Sequence, residues 1–267
     1  MHPDVLKTHI KKCQAASCNP FGVNVPLLYP EIEKIINIIV EEGIKIVFTS
    51  AGNPASWTPR LKEKGIIVVH VVSSVKFAIK AQQAGADAIV AEGFEAGGHN
   101  GREETTTFVL IPMVKEAVSI PLLAAGGIFN GRGMLAAQAP GADGVQIASR
   151  FAVSRESSAH ENFKNRVISS GEGDTMLTLK QLTPVRMLKN SFFNQVQEAE
   201  QRGATKDQLR ELLGKSRSKR GIFEGNLDDG ELEIGQASAA LGKVQPAAEI
   251  LNEIWNEYCS LKRNLCL

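Results

Sequence analysis

The sequence predicts an α/β protein built on a parallel sheet, and three observations lead there. Strand-sized and helix-sized apolar segments alternate through roughly the first 150 residues, the order of right-handed βαβ units. The segments 44–49 and 66–72 are almost continuously apolar, as strands covered on both faces are. Glycine and polar residues follow successive strands and would share one rim.

Each element has its own signal. Leu6, Ile10 and Cys13 fall at helical spacing before the Asn19-Pro20 turn, and 21–25 is the first strand. Ile32, Ile35, Ile36, Ile39 and Val40 form an apolar stripe behind Pro30-Glu31, closed by Gly43. A strand at 44–49, a helix at 57–64 ended by Gly65 and a strand at 66–72 follow. Then come a helix at 75–84 closed by Gly85, a strand at 88–91, a helix at 109–118, a strand at 120–125, a helix at 131–139 and a strand at 145–148.

These are about six strands, and a (β/α)8 barrel needs eight. The expectation is a TIM (β/α)8-type barrel lacking about two N-terminal strands. An open parallel sheet of six strands is the alternative, and near-uniform unit length together with the paired glycine-bearing loops favours the barrel. Beyond residue 155 helices and charged loops take over, with Met187, Phe192, Phe193 and Val196 on one partly buried helix and Ile250, Ile254 and Tyr258 along a last one. The expected organisation is a barrel at 1–155 and, at 156–267, a helical cap with C-terminal helices packed on it.

Composition narrows the function classes. The 267 residues are 43% hydrophobic and 22% charged with a formal net charge of +1, enough for a substantial core and without the charge run of a nucleic-acid or anionic-membrane binder. Apolar stretches are strand-sized, and Met1-His2-Pro3-Asp4 does not open a signal peptide, so a cytoplasmic enzyme with small-molecule partners is expected. Cys13, Cys18, Cys259 and Cys266 show no CxxC spacing and no histidine cluster joins them, so reduced thiols and no metal are expected.

The candidate site is Glu95-Ala96-Gly97-Gly98-His99-Asn100-Gly101, followed by Ala124-Ala125-Gly126-Gly127. Glycines there let main-chain amides approach a phosphate or a flat ring, and an imidazole titrates close to working pH. Glu95 is expected to orient the loop through backbone amides or to touch a ligand, His70 to be a satisfied core histidine, His160 a surface or helix-cap residue, and 215–220 a solvated basic loop.

At these loops the chain resembles a family: the flavin-dependent nitronate monooxygenases, once called 2-nitropropane dioxygenases, together with the bacterial enoyl-acyl carrier protein reductase II enzymes. The matching segments are Pro20-Phe21-Gly22-Val23-Asn24, Glu92-Gly93-Phe94-Glu95-Ala96-Gly97-Gly98-His99, Ala124-Ala125-Gly126-Gly127-Ile128 with Gly131-Arg132, and Gly144-Val145-Gln146-Ile147 with Arg150-Phe151. The resemblance implies an FMN-containing TIM barrel whose flavin is lined by Asn24, Glu92, Gly97, Gly98, Gly126, Gly127, Gln146, Ile147, Ala148 and Ser149. It places His99 at the catalytic histidine. An asparagine at a strand end can bond the isoalloxazine edge, and the amides at Gly126-Gly127 and Ala148-Ser149 can cradle the phosphate.

Two chemistries follow from the resemblance. A nitronate monooxygenase would use His99 as base or as donor to the nitro group; a reductase would pass hydride from NADPH or NADH through flavin to an enoyl thioester, with His99 holding the carbonyl or relaying the α-carbon proton. The reductase is preferred because Pro184-Val185-Arg186, Leu188-Lys189-Asn190 and 230–236 look like reductase II enzymes. An acidic carrier protein could then dock on Arg217, Lys219 and Arg220, and a homodimer stays open.

Departures from the family are visible. Ala148-Ser149 stands where Gly-Thr is usual and Ala139-Pro140-Gly141 where Leu-Gly is usual. Members begin with a strand, a helix and a second strand before the point matching Met1, so Met1 is expected to be an internal methionine and the barrel to have two unpaired strand edges. A non-catalytic remnant is the reading if the short form is the cellular one. A phosphate-binding isomerase or synthase barrel would share the final glycine loops.

Overall fold

The structure is a computed structural model and describes residues 2–265. The strand order of the main sheet is β1-β2-β3-β4-β6-β7, and a second, three-stranded sheet is ordered β5-β9-β8. All six strands expected from apolar runs form. The chain divides into two compact units.

The first unit, Met1–Ala91 with Met113–Leu123, alternates α1 (Pro3–Ala16), β1 (Gly22–Pro26), α2 (Ile32–Glu41), β2 (Ile46–Ser50), α3 (Thr58–Glu63), β3 (Ile67–Val72) and α4 (Val75–Gln83) before β4 (Ala88–Glu92). Strands β1 to β4 pair in parallel, with Val23 opposite Val47, Val47 opposite Val68 and Val69 opposite Ala88. This register sets apolar residues side by side across the strands and gives one core. Leu6 and Ile10 of α1, Ile35, Ile36 and Ile39 of α2 and Leu61 of α3 pack on Val23, Val25, Val47 and Val68. The helical stripe therefore faces inward as expected, and each fully buried aliphatic side chain contributes about 1.5–3 kcal/mol.

The second unit comprises Glu92–Pro112 and Ala124–Leu267. It holds β5 (Gly98–His99), the start of α5 (Thr107–Ala117), the end of β6 (Leu122–Ala125), α6 (Gly131–Gln138), β7 (Gly144–Gln146) and the short α7 (Ser149–Ala152). After them come α8 (Glu161–Ile168), β8 (Thr175–Thr178), β9 (Val185–Leu188), α9 (Ser191–Gln201), α10 (Lys206–Leu213) and α11 (Ala247–Asn264).

The region after 155 is less purely helical than expected. Met187, assigned to a helix on its spacing to Phe192, lies instead in β9, which pairs antiparallel with β8 and with Gly98-His99. The helix begins only at Ser191, where Asn190 caps it by accepting from Phe193 N at 2.8 Å. Met187 and the helix residues Phe192, Phe193 and Val196 still share a core, with Leu179 and Val185. Ile250, Ile254 and Tyr258 form the buried stripe of α11 as expected.

Cys13 and Cys18 are exposed free thiols and Cys259 is partly buried and free; Cys266 lies outside the described residues. Among the described residues no helix is long and apolar enough to cross a membrane.

Candidate functional site

The glycine loop after β4 is held from three sides, each a consequence of its own sequence. Gly93 N donates to Ala125 O at 2.9 Å and Phe94 N to Thr105 O at 2.9 Å, so the loop starts fixed to the end of β6. Glu95 then folds back. Its carboxylate accepts from Thr107 N at 3.0 and 3.1 Å and lies 3.0 Å from the Thr107 hydroxyl, which is also 3.1 Å from Ala125 O and 2.9 Å from Gly126 O. Glu95 thus orients backbone and joins the two glycine loops. At the far end Asn100 Nδ2 donates to Ala96 O at 3.0 Å and Gly98 O at 3.1 Å.

The third side is a segment far away in sequence. Residues 231–236 run against the loop: Gln236 N donates to Glu95 O at 2.9 Å, and a Cβ on Gly97 would lie 2.4 Å from Ile234 C and 2.5 Å from Gly235 N. Gly97 therefore has its bare Cα because the chain's own backbone passes there, which differs from the expected approach of a ligand. Gly98, at φ 74°, faces the Glu233 carboxylate, with Oε2 2.6 Å from where a Cβ would stand. Antiparallel pairing with Arg186 and Val185 then extends the loop, leaving His99 exposed.

Gly126 and Gly127 adopt φ 94° and 70°. A Cβ on Gly126 would meet Gly93 O at 2.7 Å, whereas one on Gly127 would touch only the Glu95 side chain at 3.4 Å and beyond. Among the described residues no loop hydrogen bond is made by the amides of Gly126, Gly127 or Ala148, and Gly127 and Ala148 are exposed. These amides lie just past β6 and β7, available to an anion. Ala148 has φ −110°, the negative value an alanine needs there. The Ser149 hydroxyl accepts from Gly235 N at 3.2 Å, which keeps its own proton available to a ligand. Gln146 and Ile147 are partly buried beside it.

Glu92 closes β4, and burial pushes its carboxyl up to about 7. Asn24, in the other unit, lies in the middle of β1 opposite Phe48, exposed between buried Val23 and Val25, and so is not at a strand end.

The nitronate monooxygenase family model matches residues 1–257. The chain belongs to that family. FabK from Thermotoga maritima superposes with a TM-score of 0.93 at 38% identity, over 99% of this chain and 84% of that one. A probable nitronate monooxygenase of Staphylococcus aureus (strain JH9) is 34% identical over 233 residues, 83% of this chain and 65% of that protein. From Rhodococcus jostii (strain RHA1), a (3aS,4S,5R,7aS)-5-hydroxy-7a-methyl-1-oxo-octahydro-1H-indene-4-carboxyl-CoA dehydrogenase is 32% identical over 195 residues, 73% of this chain and 55% of that protein. The chain thus spans little more than half the length of some curated relatives it matches. The family is one of oxidoreductases, and the TIM-barrel fold expected from the sequence agrees with the FabK superposition.

The family's segments are also where the structure adds contacts that the sequence had not assigned. Arg186 is buried in β9, donates from Nε to Phe94 O at 3.0 Å and stacks on the Phe94 ring at 4.9 Å, holding the loop's first turn; burial lowers its pKa against the pull of Glu95 and Glu104. Thr107 lies ahead of the helix expected at 109–118. Glu231 and Glu233 had stood inside a family-like segment with no assigned contact. His70 and His160 behave as expected: Thr49 Oγ1 lies 2.7 Å from His70 Nδ1 in the core, and His160 caps α8 by accepting from Asn162 N at 3.1 Å. Arg217, expected in a solvated loop, donates to the carbonyls of Leu213, Leu212 and Asp229 and stacks on Phe192 at 4.6 Å.

Proposed function

We propose that this chain is an FMN-dependent oxidoreductase that reduces the double bond of a trans-2-enoyl thioester carried on acyl carrier protein, with NADPH or NADH as electron source. The observation that carries this reading is the similarity to FabK, an enoyl-acyl carrier protein reductase II, at 38% identity over nearly the whole chain. The similarity to a carboxyl-CoA dehydrogenase supports a thioester as well.

The residues present fit FMN. The amides of Gly126, Gly127 and Ala148 with the Ser149 hydroxyl would hold the phosphate, and a Cβ on Gly127 would stand on the exposed surface beside the Glu95 side chain. Glu92 and Gln146 would line the ring. When bound, FMN would supply the two-electron redox chemistry that the reduction needs. His99, exposed on a loop pinned by Glu95, Asn100 and Arg186, would hold the thioester carbonyl or give a proton to the α-carbon. Lys219 and Arg220, both exposed, would offer charge to an acidic carrier protein, while Arg217 is engaged in the fold.

The test is the visible spectrum of the purified chain with FMN, before and after anaerobic NADPH, followed by crotonyl thioester. Bleaching by NADPH and recovery of the oxidised spectrum on adding the thioester is the expected result. Recovery only with oxygen, accompanied by nitronate consumption, would assign the monooxygenase chemistry instead. A chain that takes up no FMN would overturn both.

A further inference from the structure

His99 stands on a short and lightly held strand. β5 is two residues long, below the usual three to ten, and it forms an edge of its sheet, paired on one side only, with β9. Gly97 and Gly98 lie before the imidazole and Gly101 two residues after it, so the backbone on either side turns easily. Among the described residues no hydrogen bond holds the His99 ring, and the imidazole is therefore placed through its backbone. A side chain that must meet a substrate within about 0.5 Å needs that backbone fixed from both directions.

Before His99 the loop is tied through Glu95 to Thr107 and through Phe94 to Arg186. After it the tie is Arg102. Asn100 N donates to Pro184 O at 2.8 Å, extending the pairing of β5 with β9 by one bond. Beyond Gly101, Arg102 reaches across to the turn between β8 and β9, where Nη1 donates to Lys180 O at 2.9 Å and Nη2 to Leu182 O. Leu182 N donates to Leu179 O at 2.9 Å and closes that turn, in which buried Leu179 is held at φ 56°, a conformation leucine rarely adopts. The planar guanidinium thus grips two carbonyls some eighty residues on in the chain with charge-assisted bonds. Lys180 pairs back with Glu104, but both side chains are exposed and such a pair contributes little.

We propose that Arg102 is a positioning residue for His99: by gripping the turn between β8 and β9 it holds β5 against β9 and fixes the imidazole where the substrate meets it. This rests on the reading of His99 as the residue that meets the thioester. Arg102 moves no proton; its effect passes to His99 along Gly101 and Asn100.

The test is a double-mutant cycle on the full chain loaded with FMN, with NADPH and crotonyl thioester as substrates. Arg102→Ala is expected to cut kcat at least tenfold while FMN uptake and KM for NADPH stay within twofold. Arg102→Lys should recover part of the rate through one remaining bond, and Glu104→Gln should stay within twofold of wild type. In a His99→Ala background Arg102→Ala should change kcat less than twofold, because residues acting through one another are not additive, whereas a general loosening of the fold would lower both backgrounds alike. A readout without substrate accompanies it: amide exchange at 98–101 should quicken at least tenfold in Arg102→Ala, with β1 to β4 exchanging at the wild-type rate. Wild-type kcat in Arg102→Ala, an equal loss in both backgrounds, or unchanged exchange at 98–101 would overturn the proposal. A wild-type chain that reduces no thioester, or a His99→Ala variant as fast as wild type, would remove the reading of His99 and the positioning role with it. Those two outcomes are read with Arg102 intact, so the two failures are told apart.

Discussion

The Glu95 carboxylate takes the Thr107 amide at 3.0 and 3.1 Å with both oxygens, so that one side chain spans from the glycine loop after β4 to the first turn of α5. It is the tie that keeps His99 and Gly126-Gly127 parts of one framework. Glu95→Ala would leave the partly buried Thr107 amide unsatisfied, and a hydrogen bond to a charged acceptor contributes about 1.5–3 kcal/mol. The expected outcome is a loss of that size in urea unfolding, together with faster amide exchange at 94–107. Glu95→Gln should retain one bond and lose less. Unchanged exchange in Glu95→Ala would show that the loop is held elsewhere.

Gly97 and Gly127 separate two reasons for a glycine. Gly97→Ala places a methyl 2.4 Å from the backbone of Ile234, where no side chain can swing away, so it should cost about 3 kcal/mol or more and loosen the 231–236 segment. Gly127→Ala meets only ordinary contacts, leaving the strain of φ 70°, about 1–2 kcal/mol. Equilibrium unfolding distinguishes them: the first should lower the midpoint severely and the second modestly. In an FMN titration Gly127→Ala should weaken uptake more than its stability loss explains.

The contrast also marks what the sequence made legible. The six parallel strands and their helices could be read because both-face burial writes itself as unbroken apolar runs such as 66–72, and because Ile35, Ile36 and Ile39 keep one helical stripe. Strands β8 and β9 could not, since Thr175-Met176-Leu177-Thr178 and Val185-Arg186-Met187-Leu188 are short and partly polar, and their pairing is decided by Gly98-His99 some ninety residues away. His99 was legible from its glycine neighbours. The place of Glu233 was not: nothing in the spacing of 228–236 sets it beside Gly98, some 135 residues back along the chain. Gly97 was singled out for the approach of a ligand, and the contact it makes is with the backbone of Ile234 and Gly235.

Arg217 and Arg220 stand three apart in the same basic stretch and should behave oppositely. Arg217 donates to three carbonyls and stacks on Phe192, whereas Arg220 is exposed. Arg217→Ala should cost about 2–3 kcal/mol through lost charged hydrogen bonds, and Arg220→Ala should stay within about 0.5 kcal/mol. If Lys219 and Arg220 help seat an acidic carrier protein, Arg220→Ala should raise KM for the carrier-bound thioester and leave KM for a free CoA thioester alone. Equal changes in both would remove the docking role.

His70 gives a pH dependence whose sign is fixed by burial. It lies in β3 at 4% exposure with Thr49 as its hydrogen-bond partner, and desolvation, aided by Lys80, lowers its pKa to about 4. The unfolded chain takes up a proton near 6.5, the folded one only near 4, so the unfolded state binds more protons between those values. Stability should therefore be fully present above about pH 6.5, fall as pH drops through that window and level off below about 4, by roughly 3 kcal/mol in all. Denaturant unfolding at pH 7.5, 5.5 and 4.5 measures it. In His70→Gln this contribution should vanish, leaving a shallower profile, and Thr49→Val should lower stability at pH 7.5 by stranding the imidazole nitrogen without a partner. A wild-type profile no steeper than that of His70→Gln would mean that the imidazole is charged in the folded core.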